Sequence, residues 1–215
     1  MIKSKILLQL MQGKIVAVIR GNSQEEAFQA AQACIKGGIS AIEIAYTNSK
    51  ASQVIEQLVT QYTNQEQVVV GAGTVLDSET ARMAILAGAK FIVSPAFNLQ
   101  TAKLCNRYAI PYLPGCMTLS EITTALEAGC EIIKIFPGGT LGTSFISSLK
   151  APLPQVQIMV TGGVNLTNAK DWFLSGVTAI GIGGEFNKLA ALGEFDKITE
   201  MAKQYKNTAK SELTQ

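Results

Sequence analysis

Eight short segments rich in β-branched residues recur along this 215-residue chain, and stretches of helical periodicity separate them. Such alternation is typical of a parallel sheet in which a helix joins each strand to the next. Eight units of about 25 residues fit a closed (β/α)₈ barrel, because an open doubly wound sheet of this length would have fewer strands. The predicted strands span residues 15–19, 41–45, 68–71, 91–94, 110–113, 132–136, 157–160 and 179–182.

The chain is predicted to be one α/β domain over residues 1–215, a TIM barrel with an N-terminal helix. No low-complexity segment, long linker or shift in composition interrupts the pattern. With 47% hydrophobic residues, a chain of this size can bury a large core. An amphipathic helix over residues 1–10 and a final helix over residues 194–215 are expected to flank the strands. Further helices are predicted over residues 24–36, 52–62, 78–87, 99–108, 119–127 and 168–174.

Charge and hydropathy argue against two classes of partner. The 18 basic and 16 acidic side chains are nearly balanced, and the sequence has no basic block that could track a nucleic-acid backbone. No apolar run approaches the ~20 residues that a membrane helix needs, and the N-terminal segment has no signal-peptide cleavage site. The sequence therefore predicts a soluble, cytoplasmic protein that binds neither nucleic acid nor membrane.

The content of cysteine and histidine restricts the available chemistry. The cysteines lie far apart without a C-x-x-C motif, so they are predicted to be reduced, buried thiols rather than zinc ligands or a redox pair. The chain has no histidine, which excludes Ser-His-Asp and Cys-His catalysis and every histidine-based metal centre. We predict no metal and no organic cofactor. The cysteines are Cys34, Cys105, Cys116 and Cys130.

Two charged residues lie inside strands that are otherwise apolar. Glu43 is the centre of Ala-Ile-Glu-Ile-Ala in the second strand, and Lys134 is the centre of Ile-Ile-Lys-Ile-Phe in the sixth. A buried strand of a parallel sheet is normally apolar throughout, and an isolated charge there is costly unless it is paired or neutralised. The two side chains can meet in the barrel lumen, either as a structural ion pair or as a catalytic pair.

The catalytic alternative gives each of these residues a task. Burial disfavours the charged form of an amine, so Lys134 would be able to attack a ketone carbonyl and form a Schiff base. Glu43 would then move the protons that carbinolamine breakdown, carbon–carbon cleavage and enamine protonation require. The protonated imine is itself the electron sink, so this mechanism needs no cofactor. It predicts a class I aldolase acting on a small 2-oxo acid.

Two glycine pairs, Gly162-Gly163 and Gly183-Gly184, follow the seventh and eighth predicted strands. Backbone amides beside a helix start can form a bowl for phosphate, and barrels frequently bind phosphate at these two loops. The same pairs could also be tight turns without a ligand. The spacing leaves both alternatives open.

Motifs at the predicted strand ends carry a more specific signal. They are Val18-Ile-Arg-Gly21, Ile42-Glu-Ile44, Val70-Gly-Ala-Gly-Thr-Val75, Phe91-Ile-Val-Ser-Pro95, Pro114-Gly-Cys116, Ile133-Lys-Ile-Phe-Pro137 and Thr161-Gly-Gly163. On these motifs the chain resembles, from end to end, the family of 2-keto-3-deoxy-6-phosphogluconate (KDPG) and 4-hydroxy-2-oxoglutarate (KHG) aldolases. The resemblance implies a homotrimer of barrels and an aldehyde-lyase that splits phosphorylated KDPG into pyruvate and glyceraldehyde 3-phosphate.

Carried over position by position, the resemblance implies that Lys134 is the Schiff-base lysine and Glu43 the general acid/base. It implies that Thr74 contacts the pyruvate portion of the substrate. Phe136, which follows the lysine strand, is expected at the mouth of the site, packed over the bound chain. The remaining residues expected to bind substrate, with the glycines at the phosphate, are Pro95, Thr161, Gly162, Gly163, Gly183 and Gly184.

The chain departs from the family pattern at two positions. Well-known members have an arginine that binds the pyruvate carboxylate where this chain has Thr47. Arg20, at the end of the first strand, is expected to replace it, because a branch that acts on the galactonate epimer has an arginine in a similar context. Glu185 stands where many members have serine near the phosphate. A carboxylate there would repel phosphate, so either Glu185 points away or the substrate is not phosphorylated.

Several alternatives for function stay open at this point. The same chemistry fits KHG, the galactonate epimer of KDPG and an unphosphorylated 2-keto-3-deoxy acid. Isomerases and thiamin-phosphate-synthase-like transferases are also phosphate-binding barrels, although they do not need a lone lysine in the sixth strand. A non-catalytic barrel that binds a sugar phosphate would keep Glu43 and Lys134 only as a salt bridge in the lumen.

Overall fold

A computed structural model describes residues 2–211, which form a ring of parallel strands surrounded by helices. The strands are β1 (Ile15–Ile19), β2 (Ala41–Ala45), β3 (Val69–Gly73), β4 (Ile92–Val93), β5 (Tyr112–Leu113), β6 (Gly115–Cys116), β7 (Ile132–Ile135), β8 (Gln157–Thr161) and β9 (Ala179–Ile182). The helices are α1 (Ile2–Gly13), α2 (Gln24–Lys36), α3 (Ala51–Gln61), α4 (Ser78–Leu86), α5 (Leu99–Arg107), α6 (Leu119–Glu127), α7 (Gly138–Leu141), α8 (Thr143–Lys150), α9 (Ala169–Leu174), α10 (Gly184–Ala191) and α11 (Phe195–Ser211).

The described strands form eight barrel positions because β5 and β6 are two halves of the fifth. They flank Pro114, which has no N–H to donate, and its carbonyl instead accepts a hydrogen bond of 2.9 Å from the amide of Lys134. β5 pairs with β4 and β6 pairs with β7, so the interrupted strand closes the ring. The predicted (β/α)₈ TIM barrel is confirmed.

The element boundaries agree with the sequence most closely at both ends of the barrel. The strands β1, β2 and β9 have the predicted bounds, whereas β4 is shorter than predicted. The predicted N-terminal helix is present and runs on to Gly13, and the final helix begins at Phe195. The predicted end of that helix, residues 212–215, lies outside the described residues. The prediction did not include α7, α8 or α10.

The lumen below the strand ends is filled by a layer of apolar side chains, called here the lower layer. Three side chains of α1, those of Ile6, Leu7 and Leu10, pack against this layer and close the bottom of the barrel. Burial of each large apolar side chain contributes about 1.5–3 kcal/mol to folding. The lower layer consists of Val16, Ala41, Val69, Phe91, Val93, Leu113, Ile132, Met159 and Ala179.

A second group of side chains, called here the upper layer, lies one step nearer the C-terminal ends of the strands. Side chains of a strand alternate between its two faces, so a residue two positions further along faces the lumen again. Apart from Val18, this step replaces apolar side chains of the lumen by polar residues or by glycine. The upper layer consists of Val18, Glu43, Gly71, Lys134, Thr161 and Gly181.

Two further predictions can be compared with the described part of the chain. All four cysteines are buried and free, as predicted for reduced thiols. Within residues 2–211, no helix combines the length and hydropathy needed to cross a bilayer.

Candidate active site

A cavity of about 440 Å³ opens at the C-terminal ends of the barrel strands. This is the end at which barrels carry their active sites. Every residue predicted to bind or act on substrate lines it, and so do Thr47 and Glu185, the two departures from the family pattern. The predicted residues are Arg20, Glu43, Thr74, Pro95, Lys134, Phe136, Thr161, Gly162, Gly163, Gly183 and Gly184.

Lys134 projects from β7 into the upper layer and is only 6% exposed. Its Nζ lies 5.0 Å from the centre of the Phe136 ring, a cation–π distance that places the aromatic ring beside the amine. In the described part of the chain, no carboxylate forms a salt bridge with this amine. The alternative of a structural ion pair with Glu43 therefore has no direct contact to support it.

Glu43, on β2, is 1% exposed. Its Oε2 has no hydrogen-bond partner among residues 3–210. The carboxyl group lies over Gly73, where any β-carbon would collide with it, so the glycine makes room for the acid. Burial raises the pKa of Glu43, and the positive charges of Lys134 and Arg20 oppose that rise. A buried carboxyl group with a free oxygen is available for proton transfer.

Two threonines stand at the strand ends beside this pair. Thr161 ends β8, and its Oγ1 is buried without a partner in the described residues. Its methyl group occupies the space that a side chain at Gly181 would need. Thr74 has a φ of 54°, in the left-handed region that costs a β-branched residue energy. Backbone strain of this kind is concentrated at functional sites.

The glycine pairs form one side of the cavity. Gly162 and Gly163 have φ of 82° and 81°, conformations that favour glycine. The Phe136 ring packs directly against Gly162. Gly183 precedes α10 and provides no side-chain cap, so the first amides of that helix have no side-chain acceptor. Unpartnered amides at a helix start are suited to bind an anion.

Two asparagines that the sequence analysis did not assign hold the backbone of Arg20. Asn48, only 6% exposed, donates to the carbonyls of Arg20 at 2.8 Å, Gly21 at 3.3 Å and Ser23 at 3.1 Å. Asn187 accepts from the amide of Arg20 at 2.8 Å and donates to the carbonyl of Val18 at 2.8 Å. Arg20 thus leaves the end of β1 on a segment fixed from both neighbouring strands.

Glu185 lines the cavity, but its carboxylate is engaged elsewhere. The hydroxyl of Tyr205, in α11, donates a hydrogen bond to its Oε2. Burial and the charge of Glu185 raise the pKa of Tyr205, which keeps that hydroxyl protonated. The sequence left two alternatives: Glu185 points away from the phosphate, or the substrate is not phosphorylated. In the structure the carboxylate points toward α11.

Several lining residues were missed. Lys188 is exposed on α10. The sequence could have indicated it, because it is a lysine one helical turn after the predicted phosphate loop. Within residues 2–211, no group of three or more His, Cys, Asp or Glu side chains is arranged to hold a metal ion. The other missed lining residues are Val18, Val164, Asn165 and Gly181.

The site as a whole defines a class of protein. Among the residues that the structure describes, the buried lysine has no salt bridge and the carboxyl group in the same cavity has an oxygen without a partner. A parallel barrel with such a pair is equipped for covalent catalysis on a carbonyl substrate. A family model described as KDPG and KHG aldolase matches residues 6–201. The chain belongs to the KDPG and KHG aldolase family, and it is therefore an aldehyde-lyase. The resemblance inferred from the motifs is confirmed.

Individual relatives cover nearly the whole chain. The 2-dehydro-3-deoxy-phosphogluconate aldolase of Treponema pallidum is 33% identical over 195 residues, which are 89% of this chain and 91% of the relative. A solved structure described as native KDPGal superposes with a TM-score of 0.85 at 29% identity, covering 94% of this chain and 96% of its own. KDPG aldolase from Legionella pneumophila, with pyruvate captured as a covalent carbinolamine, superposes with a TM-score of 0.81 at 26% identity, covering 88% and 92%.

Proposed function

We propose that this protein is a class I aldolase that cleaves KDPG into pyruvate and glyceraldehyde 3-phosphate through a Schiff base on Lys134. The observation that carries the proposal is the buried amine of Lys134, which has no salt bridge among the described residues, in one cavity with the Glu43 carboxyl group, whose Oε2 has no partner there. The carbinolamine captured in the Legionella pneumophila relative supports the same chemistry here.

The reaction begins with attack of the Lys134 amine on the C2 carbonyl of the substrate. The resulting carbinolamine loses water to give a protonated imine. Removal of the proton from the C4 hydroxyl breaks the C3–C4 bond, releases the aldehyde and leaves an enamine whose electrons came from that bond. Protonation of the enamine at C3 and hydrolysis of the imine release pyruvate and return the free lysine.

Glu43 is the proton carrier in these steps. Its pKa is raised by burial, so the carboxyl group is suited both to accept a proton and to return it. It donates to the leaving water of the carbinolamine, accepts the C4 hydroxyl proton and returns it to C3. The carboxyl group occupies the space that a side chain at Gly73 would need, and there it feels the positive charge of Lys134.

The two ends of the substrate meet different groups. We assign the pyruvate carboxylate to Arg20 and Thr74, since Arg20 lines the same cavity as Thr47, where relatives have arginine. The glycine pairs at 162–163 and 183–184 receive the phosphate through backbone amides. Phe136 covers the chain between these ends, and Pro95 also lines the cavity.

KHG is the second substrate that the site fits. Its cleavage needs the same carbonyl and hydroxyl groups at Lys134 and Glu43, and it releases pyruvate and glyoxylate. It has no phosphate, so it leaves the glycine pairs unused. The ratio of kcat/KM for KDPG to that for its dephosphorylated form, which differs from it only in the phosphate, measures what the phosphate contributes.

The test of the covalent mechanism is the intact mass of the protein after incubation with pyruvate and sodium borohydride. We expect a gain of about 72 Da, the mass of a reduced pyruvyl adduct, that is lost in Lys134→Met. Lys206→Met is the matched control, because Lys206 is a partly buried lysine that lies outside the cavity. A folded wild-type protein that forms no adduct would contradict the proposal.

We also propose a cytoplasmic homotrimer, which the family resemblance implies. The free, buried thiols fit a reducing compartment. Exposed apolar side chains on or just before α4 and α5, such as those of Leu76, Leu86 and Leu99, offer a surface for a second copy. Light scattering should give three times the mass of one chain, and the mass of a single chain would contradict the trimer.

A further inference from the structure

The first turns of α10 carry two opposite charges to the phosphate end of the cavity. Glu185 and Lys188 both line it, three residues apart on the same side of the helix. A phosphate held at Gly183 and Gly184 would lie next to both. The carboxylate would repel it and the ammonium would attract it, so the effective charge at this end depends on where each side chain points.

The position of the Glu185 carboxylate is set from α11. Tyr205, which donates to it, has a side chain that is 0% exposed. Its ring packs edge-on against the Phe186 ring, with centroids 5.8 Å apart at 71°. This packing fixes the tyrosine, so its hydroxyl acts as a rigid donor that draws Glu185 toward α11.

Lys188 has no such tether. Its side chain is exposed, and it forms no salt bridge or side-chain hydrogen bond with another described residue. With Glu185 held by Tyr205, the ammonium of Lys188 is the side-chain charge that remains for an anion at this end of the cavity.

We propose that Tyr205 is a positioning residue that gives this aldolase its preference for phosphorylated substrate, by holding the Glu185 carboxylate away from the phosphate and leaving Lys188 to attract it. The inference rests on the proposed function. It assigns the preference for a charged substrate at the phosphate end to Tyr205 on α11, a helix that does not line the cavity. The ligand class is a phosphate monoester of a small 2-oxo acid.

The experiment compares kcat and KM of wild type and Tyr205→Phe on KDPG and on KHG. The substitution keeps the buried ring and removes only the donor. We expect KM for KDPG to rise about tenfold with little change in kcat, because the released carboxylate repels the phosphate. The KHG parameters should stay close to those of wild type. Adding Glu185→Gln to Tyr205→Phe should restore KM for KDPG, because the repelling charge is gone.

Lys188→Gln provides the second arm. It should also raise KM for KDPG and not for KHG, and the effect should shrink at high ionic strength. Lys170→Gln is the matched control, since Lys170 is exposed on α9 and does not line the cavity.

The outcomes separate this inference from the proposed function. Equal losses on both substrates in Tyr205→Phe, or an unchanged KM for KDPG, would overturn the positioning role alone. A wild-type enzyme that does not cleave KDPG would overturn the proposed function, whereas one that cleaves KDPG and KHG with equal kcat/KM would overturn only this inference. A loss confined to KDPG that Glu185→Gln reverses supports both.

Discussion

The lower and upper layers of the barrel lumen are built by the same strands and differ by a single step of two residues. Ile132 and Met159 of the lower layer are apolar and fully packed, whereas Lys134 and Thr161, two positions further along β7 and β8, are polar. Stability is concentrated at the closed end and chemistry at the open end. The strand pleat places both functions on one backbone.

The two layers differ in their content of glycine. The lower layer has none, and its side chains fill the lumen. In the upper layer, Gly71 leaves space for the Phe91 ring and Gly181 for the Thr161 side chain. The glycines of the upper layer thus allow side chains of neighbouring strands, one of them the polar Thr161, to pack inside the lumen. The comparison predicts that changes in the upper layer affect catalysis and changes in the lower layer affect folding.

Glu43→Gln should have the largest effect and should act on the rate. The amide keeps the shape of the side chain but can no longer exchange a proton, so kcat is expected to fall about 10²–10⁴-fold. The lysine adduct with pyruvate should still be trapped by borohydride, although more slowly. Steady-state kinetics and intact mass measure the two parts, and an unchanged kcat would remove Glu43 from the mechanism.

The same variant should alter the pH dependence of stability. A carboxyl group whose folded pKa is raised stabilises the protein fully below its unfolded pKa, near the ordinary value of 4.5, and loses this contribution as pH rises through the folded value. Glu43→Gln lacks this loss, so its free energy of unfolding relative to that of wild type should increase as pH rises from about 4.5 to the folded pKa and stay constant above it. Urea unfolding at several pH values checks it, and a gap that shrinks with rising pH would reverse the assignment.

Met159→Ala tests the closed end of the comparison. Met159 is 0% exposed in the lower layer, and truncation of such a side chain costs about 2–5 kcal/mol through lost burial and the cavity left behind. The folded fraction should retain most of its kcat. Thermal unfolding measures the loss of stability, and kinetics per folded molecule measure kcat. A fall in kcat without loss of stability would contradict the assignment of folding to the lower layer and catalysis to the upper layer.

Thr161→Val, two residues above Met159, should have the smallest effect on folding. It replaces a buried hydroxyl that has no partner in the described chain by a methyl group of the same shape. Stability should stay within about 1 kcal/mol of wild type or increase, because the desolvation cost of the hydroxyl disappears. Activity should nevertheless fall. A clear loss of stability would mean that the hydroxyl has a structural partner.

The fold and the buried pair of Glu43 and Lys134 could be predicted from the sequence for physical reasons. Regular alternation reports the strand and helix periods directly, and a charge in an apolar strand is conspicuous because burial penalises it. The break of the fifth strand at Pro114 was not predicted, because it depends on pairing with two other strands. Short strands such as β4 are likewise defined by their neighbours rather than by local preference.

The rim of the site was harder to predict than its centre. Three polar residues at the rim lie in loops and helices, where polar residues are common, so the sequence does not indicate which of them are buried or face the site. They are Asn48, Asn187 and Lys188. Which of them face the cavity depends on the rotation of α10 and on contacts between distant segments. The direction of Glu185 depended on Tyr205, twenty residues further along the chain. A contact of that kind has no signature in local sequence.

The hydrogen bond between Arg20 and Asn187 joins residues 167 positions apart, and this separation bears on protein synthesis. Chains emerge from the ribosome from the N-terminus, so the first barrel strand is made long before α10. Until the last barrel unit is translated, the segment that carries Arg20 has no partner on one side. A nascent or prematurely terminated chain therefore contains Lys134 and Glu43 before the proposed carboxylate site at Arg20 is complete, and we expect competence for catalysis only once the final part of the barrel has been made.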